Sequence, residues 1–327
     1  MHHARIAQVS ALTLAVTAAF AVFPAYGQAY PSKSIRLIVP FPPGSGVDVL
    51  TRIVAPHFSE RLGQQVVVDN RGGASGIIGA ELLVKTPPDG YTIMMATASM
   101  LTVSPAMRKL PYSIEKDFTY ITQPGATYAI SVVHPSMPVK SIKELIALAR
   151  AKPGVITFAS TGIATPPHMG GAVFAVRENL KMVHVPYKGS SPAMTDLLGG
   201  HVDTFWVNMQ SAMPFVQSKK VRPIVVTSVK RHELVPDVPT MDELGYKDWV
   251  AGNTWYGLVG PAGLPREIAE RLQAEMVKVL QIPEMKDKLF AAGATIVGNT
   301  PKEFTANVQK ETQMWVKIIK DTGITAD

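Results

Sequence analysis

The sequence contains no cysteine among its 327 residues. This absence excludes disulfide bonds, a thiol nucleophile and cysteine-based metal sites. It also excludes a lipoprotein anchor, because the lipid is attached to a cysteine at the cleavage site. Lys and Arg outnumber Asp and Glu by 32 to 25, but the basic residues are scattered along the chain. Because a nucleic-acid-binding protein clusters its basic residues, we expect no nucleic-acid partner.

The motifs of several enzyme classes are missing as well. No serine has the G-x-S-x-G spacing of a nucleophile elbow, and no histidine pair has the H-E-x-x-H spacing of a zinc site. Gly44 and Gly46 follow a predicted strand, but Val49 stands where a dinucleotide fingerprint needs its third glycine, and no phosphate-binding Gly-Lys-Ser/Thr follows. We therefore predict a protein that is not an enzyme and that holds neither a cofactor nor a metal ion.

Long apolar runs are absent after the first 30 residues. Near the start, Arg5 precedes the segment Val9–Phe23, which is apolar or small throughout and about 15 residues long. This is short of the roughly 20 residues that span a bilayer, and small residues at 25–29 fit a cleavage site. We therefore predict that residues 1–29 form a secretory signal peptide, cleaved near 27–29. The mature protein is then periplasmic and not lipid-anchored.

The remaining chain alternates short β-rich runs with helical patterns. A first βαβαβ order covers residues 34–96 and predicts a parallel sheet, and a second cycle covers residues 128–228. In the first cycle, a helical pattern over Val47–Leu62 is followed by Gly63 as a stop, and Pro56 is expected to kink or shorten this helix. The mostly helical part after residue 265 is expected to pack back on the first module. We predict an α/β protein with a ligand cleft between two domains. These domains are residues 30–127 plus 253–327, and residues 128–252.

Two loops share one design, in which a strand is followed by a short turn and the start of a helix. The first loop is Pro40–Asp48, and the second loop is Ser160–His168. Helix starts carry unpaired N–H groups and a partial positive charge, which favour a carboxylate or a phosphate. If the modules face each other, both helix starts point into one cleft and hold an anion without a buried arginine. The alternatives are that the loops are ordinary turns and that His168 is a packing residue.

The two loops and several further positions are predicted to bind the ligand. Lys188 could pair with a ligand carboxylate or be solvated, and Asp203 could fix the cleft by hydrogen bonds. The predicted site residues are Phe41, Pro42, Gly44, Ser45, Gly46, Asp48, Thr97, Ser99, Ser160, Thr161, Gly162, Thr165, His168, Tyr187, Lys188, Asp203 and Asn208.

Seven segments stand in the order and spacing of one known family. They are Val39–Gly44 with Asp48, Asp69–Gly72, Pro88–Tyr91, His184–Gly189, Leu197–Gly200 with Asp203, Pro236–Thr240 and Gly257–Gly263. Together they resemble the substrate-binding proteins of the tripartite tricarboxylate transporters, also called the Bug family. The resemblance covers essentially the whole predicted mature chain, from Tyr30 to about Gly323.

The resemblance implies the fold of a type II periplasmic binding protein, with two α/β domains that close on a ligand. It implies a small organic carboxylate ligand, such as an aromatic or a dicarboxylic acid, that a monomer delivers to a two-subunit membrane permease. The carboxylate anchors of the family correspond here to Phe41–Gly46 and Ser160–His168. The alternative is a ligand-binding sensor that contacts a kinase of a two-component system, because many family genes lack a transporter neighbour.

Two departures from the family pattern concern the loops. Ser45 replaces the usual second glycine of the first loop, and Pro166–Pro167 intrude into the second loop. Because proline has no N–H group, fewer donors can reach a ligand there. A stiffer and more apolar wall would suit an aromatic or bulky acid, on whose ring Phe41, Trp206 and Trp255 could stack.

Overall fold

The computed structural model describes residues 30–325, in which eleven strands form two separate sheets. The predicted signal peptide, residues 1–29, lies outside these residues. The strands are β1 (Ile35–Val39), β2 (Val66–Asn70), β3 (Thr92–Thr97), β4 (Phe118–Thr127), β5 (Ala129–Val133), β6 (Thr157–Ser160), β7 (Val183–Pro186), β8 (Thr204–Asn208), β9 (Arg222–Val226), β10 (Thr254–Pro261) and β11 (Ala294–Ile296).

Helices cover the sheets, and several of these helices begin just after a strand ends. A π-helical turn, Ser99–Val103, follows β3 directly. The helices are α1 (Gly46–Leu62), α2 (Ile77–Val84), α3 (Ser104–Met107), α4 (Ile142–Ala151), α5 (Pro166–Arg177), α6 (Ser190–Leu198), α7 (Met209–Gln217), α8 (Arg266–Leu280), α9 (Pro283–Ala291) and α10 (Pro301–Thr322).

The first sheet has six strands in the order β11-β4-β10-β3-β1-β2. β1 pairs in parallel with β2 and β3, as the βαβαβ pattern predicts, and its apolar residues are almost all buried because both faces are covered. β10 runs antiparallel to β3 and β4, so the sheet is mixed. The short strand β11 lies within the part that was predicted to be mostly helical, and it pairs with β4 at the edge of the first sheet.

The second sheet has five strands in the order β7-β6-β8-β5-β9. β6 pairs in parallel with β7 and β8, whereas β5 runs antiparallel to β8 and β9. The chain passes from the first sheet to the second at Tyr128 and returns between Val226 and Thr254. Lys33–Asp327 form one compact unit, so the division into residues 30–127 plus 253–327 and residues 128–252 stays a prediction.

The C-terminal helices pack on the first sheet, as predicted. Gly257 in β10 has no side chain, and the ring of Phe304 from α10 occupies the space where a Cβ atom would lie. Phe304 also packs edge-on against Trp255, with ring centroids 5.3 Å apart. This contact fixes α10 against the middle of the first sheet.

Helix α1 begins at the end of the first loop, is 17 residues long and continues through Pro56 to Leu62, although the sequence predicted that this proline would kink or shorten it. Leu50, Val54 and Phe58 lie on one fully buried face. Their burial offsets the one hydrogen bond that a proline removes from a helix interior. The helix ends at Gly63, whose left-handed φ of 71° matches the predicted stop.

Within residues 30–325, the structure offers neither a membrane-crossing helix nor a metal site. No helix in this range is both long and apolar enough to cross a bilayer. The same range contains no group of three or more His, Asp or Glu side chains placed to hold a metal ion.

Candidate functional site

A small cavity, called the inner cavity below, lies where strand ends and helix starts from both sheets meet. The volume that the centre of a water molecule can occupy in it is about 20 Å³, so the inner cavity has room for about one water. No charged side chain is among the thirteen residues that line it. These are Phe41, Ser45, Gly46, Val47, Thr97, Ser99, Thr161, Pro166, Pro167, Ser190, Asn208, Thr254 and Tyr256.

Several helix starts converge on the inner cavity. Ser45 is the N-cap of α1, Ser190 is the first residue of α6, and Asn208 is the N-cap of α7. Ser99 begins the π-helical turn after β3. The first N–H groups of a helix have no partner within the helix and carry a partial positive charge. The cavity is therefore suited to an anion even though no lysine or arginine lines it.

Four side-chain atoms of cavity-lining residues are buried without a hydrogen-bond partner in the described part of the chain. They are Oγ of Ser45, Oγ1 of Thr97, Oγ of Ser190 and Oδ1 of Asn208. Leaving a buried polar atom unpaired costs about 1–3 kcal/mol, so proteins contain few such atoms. Their concentration around one cavity marks the place where a bound polar group would pair with them.

Asp48 fixes the conformation of the first loop through hydrogen bonds. Oδ2 of Asp48 accepts a hydrogen bond from the Gly44 N–H at 2.9 Å, and Oδ1 accepts one from Nδ2 of Asn70 at 2.9 Å. The charge of Asp48 is balanced by Arg52, whose Nε lies 3.0 Å from Oδ1. Asn70 also donates to the Phe41 carbonyl at 2.9 Å. Asp48 and Gly44 therefore shape the loop without lining the cavity.

The second loop satisfies its own polar groups. Oγ1 of Thr165 donates to the Gly162 carbonyl at 2.7 Å and accepts from the His168 N–H at 3.4 Å. Pro166–Pro167 occupy the first two positions of α5 and have no N–H groups. No free N–H therefore remains in the first three positions of α5, and this helix presents its prolines to the inner cavity.

His168 packs against a second histidine instead of facing the cavity. The rings of His168 and His184 are stacked with centroids 4.2 Å apart, and Oγ of Ser160 lies 2.7 Å from Nε2 of His184. Burial, and to a lesser extent the proximity of His184, lowers the pKa of His168 to about 3. Burial also lowers the pKa of His184 to about 4. Both rings are neutral near pH 7 and stabilise the second loop by packing.

The polar groups opposite the first loop come from α6 and α7. Oγ of Ser191 donates to the Pro43 carbonyl at 3.2 Å, and Oγ of Ser211 donates to the Gly44 carbonyl at 3.3 Å. Nδ2 of Asn208 donates to Oη of Tyr256 at 3.3 Å. These hydrogen bonds connect elements of the two sheets and close the inner cavity.

A larger cavity, called the outer cavity below, adjoins the inner one, with which it shares Phe41 and Thr161. The volume that the centre of a water molecule can occupy in the outer cavity is about 490 Å³. Its lining consists of residues 41–42, 72–75, 161–163 and 186–188 together with Ile78 and Arg108.

The structure sorts the predicted site residues into three groups. Those that line the inner cavity are Phe41, Ser45, Gly46, Thr97, Ser99, Thr161 and Asn208. Those that line the outer cavity are Phe41, Pro42, Thr161, Gly162, Tyr187 and Lys188. Those that line neither are Gly44, Asp48, Ser160, Thr165, His168 and Asp203. Asp203, for example, accepts hydrogen bonds from the N–H and Oγ1 of Thr157 and so joins β8 to β6. A ligand contact by this last group stays a prediction.

Sequence reasoning missed Ser190 and Tyr256 and favoured two tryptophans that lie elsewhere. Trp206 has no exposed surface and stacks on Trp249 in the core. Nε1 of Trp255 donates to Glu311 on the other face of β10. Because neighbouring side chains of a strand point to opposite faces, Tyr256 reaches the inner cavity where Trp255 does not. Ser190 had a usable signal, because it also follows a strand and a glycine at the start of a helix.

Comparisons with known proteins agree on one family. Residues 50–324 match the family model described as tripartite tricarboxylate transporter family receptor. The solved structure of Rhodopseudomonas palustris Rpa4515 with adipate is 30% identical, with a TM-score of 0.87 over 90% of this chain and 99% of that one. The periplasmic binding protein BugD is 31% identical, with a TM-score of 0.86 over 90% and 99%. MatC from Rhodopseudomonas palustris with bound malate is 25% identical, with a TM-score of 0.83 over 89% and 100%.

Proposed function

Because this chain belongs to the tripartite tricarboxylate transporter receptor family, we propose that it is a periplasmic solute-binding protein for a small organic carboxylate. One observation carries the proposal: three unpartnered hydroxyl groups, those of Ser45, Thr97 and Ser190, and several helix starts surround the inner cavity. The similar proteins Rpa4515 and MatC were solved with adipate and malate, which are both carboxylates. The ligand class and the chemistry of the cavity therefore agree.

In this proposal, the carboxylate head group of the ligand occupies the inner cavity. It accepts hydrogen bonds from the first N–H groups of α1 and from the hydroxyl groups of Ser45, Thr97 and Ser190, which can rotate to donate. Phe41 and Pro166–Pro167 supply apolar walls. Because all these donors are neutral, binding requires no buried cation to lose its water.

Ligand access requires the two sides of the cavity to separate. A carboxylate has three heavy atoms, whereas the inner cavity has room for about one water. The hydrogen bonds from Ser191 and Ser211 to the first loop must therefore break and form again around the ligand. A two-domain protein that closes on its ligand in this way presents a closed form to its membrane partner.

The location and the partner follow from the family and from the predicted signal peptide. The similar protein BugD is described as a periplasmic binding protein. We propose that the mature chain is released into the periplasm and delivers its ligand to a two-subunit permease. Deletion of the gene that encodes this protein should then abolish uptake of the ligand. A deletion that changes transcription but leaves uptake intact would instead favour the sensor function.

A thermal-shift screen of organic acids with the exported protein tests the ligand class. A ligand at 100 times its dissociation constant adds about 2.7 kcal/mol to the free energy of unfolding, which raises the melting temperature by several degrees. The matched control for each active acid is its uncharged amide. The proposal loses its support if no acid stabilises the protein, or if an acid and its amide act equally.

A further inference from the structure

Arg108 is a half-buried cation, and two of its guanidinium nitrogens are buried without a partner. These atoms, Nε and Nη2, are shielded from solvent, and neither has a hydrogen-bond partner in residues 30–325. No ion pair to Arg108 is formed within these residues either. Buried guanidinium N–H groups are normally paired, because removing them from water is costly. Two N–H-bearing atoms of Arg108 are therefore available to a bound group.

The surroundings of Arg108 favour an anionic partner. Arg108 lines the outer cavity, where the other charged residue is Lys188. No acidic side chain is among the residues that line this cavity. Lys188 is exposed at its rim. Two positive charges and no negative charge make the outer cavity attractive to a carboxylate.

The outer cavity adjoins the proposed carboxylate site. Phe41 and Thr161 line both cavities, so a ligand held in the inner cavity would reach the outer one if these two side chains separate. The outer cavity has room for several non-hydrogen atoms, at about 490 Å³ compared with about 20 Å³ for the inner one. One end of an acid therefore fits the helix starts while its other end lies beside Arg108.

The wall of the outer cavity is strained and is held by a contact between the two sides. Ala74 and Ser75 have left-handed φ angles of 47° and 59°, which are unfavourable for residues other than glycine. Oγ of Ser75 donates to the Ile163 carbonyl at 2.5 Å. Strained backbone persists where surrounding contacts impose it, and such places often serve ligands.

We infer that Arg108 binds a second carboxylate of the ligand, so that the protein selects dicarboxylic acids over monocarboxylic acids. The inference rests on the proposed function, since it requires the first carboxylate in the inner cavity. A guanidinium presents two parallel N–H groups to a carboxylate, which favours Arg108 over Lys188 as the selective group. Lys188 at the rim contributes attraction at longer range.

Calorimetric titration with matched acids tests the inference. Straight-chain dicarboxylates of four to eight carbons are compared with monocarboxylates of the same length, on the wild type, Arg108→Met and Lys109→Met. Lys109→Met is the matched control, because Lys109 is exposed and lines neither cavity. Arg108→Met should weaken the best dicarboxylate 10- to 100-fold, to the level of its monocarboxylate. Arg108→Met should change the affinity for monocarboxylates by less than twofold. Lys109→Met should change the affinity for every acid by less than twofold.

The outcomes separate the inference from the proposed function. If no acid binds the wild type, the proposed function fails and the inference fails with it. If acids bind but the wild type does not prefer dicarboxylates, or Arg108→Met weakens both classes equally, only the inference is overturned. The melting temperature without ligand gives a second readout. Arg108→Met should keep or raise it because an unpaired charge is removed, and a marked decrease would assign Arg108 a structural role.

Discussion

The two strand-to-helix loops have the same design in the sequence but different hydrogen bonding in the structure. In the first loop, the N-cap Ser45 makes no capping hydrogen bond, and its hydroxyl group lines the inner cavity. In the second loop, the N-cap Thr165 caps α5 and also binds the Gly162 carbonyl. One loop therefore leaves its helix start open, whereas the other satisfies its own polar groups. Local pattern alone does not separate an anion site from a well-capped turn.

The difference assigns the loops different functions. An open helix start is less stable than a capped one and becomes stabilised when an anion binds. We therefore propose that the first loop carries binding energy, and that Ser190 and Asn208, which line the same cavity, complete its surroundings. We propose that the second loop, with the stacked pair His168 and His184, contributes to structural stability instead. Substitutions should separate these two functions.

The largest effect is expected for Gly46→Val in the first loop. A Cβ atom on Gly46 would overlap Oη of Tyr256 and lie 3.0 Å from Nδ2 of Asn208. Added side-chain atoms therefore hold the two sides of the inner cavity apart. We expect acid binding to weaken by more than 100-fold in a calorimetric titration. The smaller Gly46→Ala should lose less, and full affinity in Gly46→Val would show that the first loop is only a turn.

Much of the fold was predictable because periodicity and turn residues are local signals. The two βαβ cycles and the stop at Gly63 were found in this way. The strand β11 was not, because three residues without a clear pattern form a strand only when β4 is available as a partner. Helix α1 continues through Pro56 for a similar reason, since the burial of its apolar face depends on the rest of the protein.

The candidate site was predictable to a smaller degree. The first loop was recognised because glycines and a helix start are adjacent in the sequence. Arg108 was missed, because an arginine after a short helix has no local signal of being unpaired. The packing of the second loop was also missed, since it depends on a histidine from β7 that stacks on His168. A site whose groups come together only on folding is visible only in the tertiary structure.

The second expected effect is a loss of stability on mild acidification, caused by the second loop. The folded-state pKa values of His168 and His184, about 3 and about 4, lie below the usual value of 6.5. The unfolded chain therefore binds more protons between pH 6.5 and pH 4, so stability falls as the pH decreases through this window. From pH 7.5 to pH 5.5 we expect a loss of about 1–2 kcal/mol in urea-denaturation measurements, after allowance for the partial exposure of His184.

The double variant His168→Phe and His184→Phe tests the source of this pH dependence. It keeps two stacked rings but removes both titrating groups, so the loss between pH 7.5 and pH 5.5 should become smaller. His232, whose pKa burial also lowers, contributes with the same sign and limits how flat the profile becomes. His134→Gln, which removes an exposed histidine outside both loops, is the matched control. An unchanged profile in the double variant would contradict the assignment.

The smallest but most direct effect compares the two N-cap residues. Ser45→Ala removes a hydroxyl group without a partner, and Thr165→Ala removes one that makes two hydrogen bonds. Ser45→Ala should weaken acid binding about 3- to 10-fold. It should keep or raise the free energy of unfolding without ligand, because the hydroxyl group that it removes is buried and unpaired. Thr165→Ala should lower the free energy of unfolding by about 1 kcal/mol and change acid affinity by less than twofold. Calorimetric titration gives the acid affinity of each variant, and urea denaturation gives its free energy of unfolding.

Each variant is the control for the other, since both shorten an N-cap hydroxyl residue next to the inner cavity. If Ser45→Ala lowered stability without ligand, the hydroxyl group of Ser45 would have a partner within the protein and the first loop would be capped like the second. If Thr165→Ala weakened binding as much as Ser45→Ala did, the hydroxyl group of Thr165 would also bind the ligand. Either result would remove the contrast between the loops, because the contrast depends on the helix start of α1 remaining open until an anion binds.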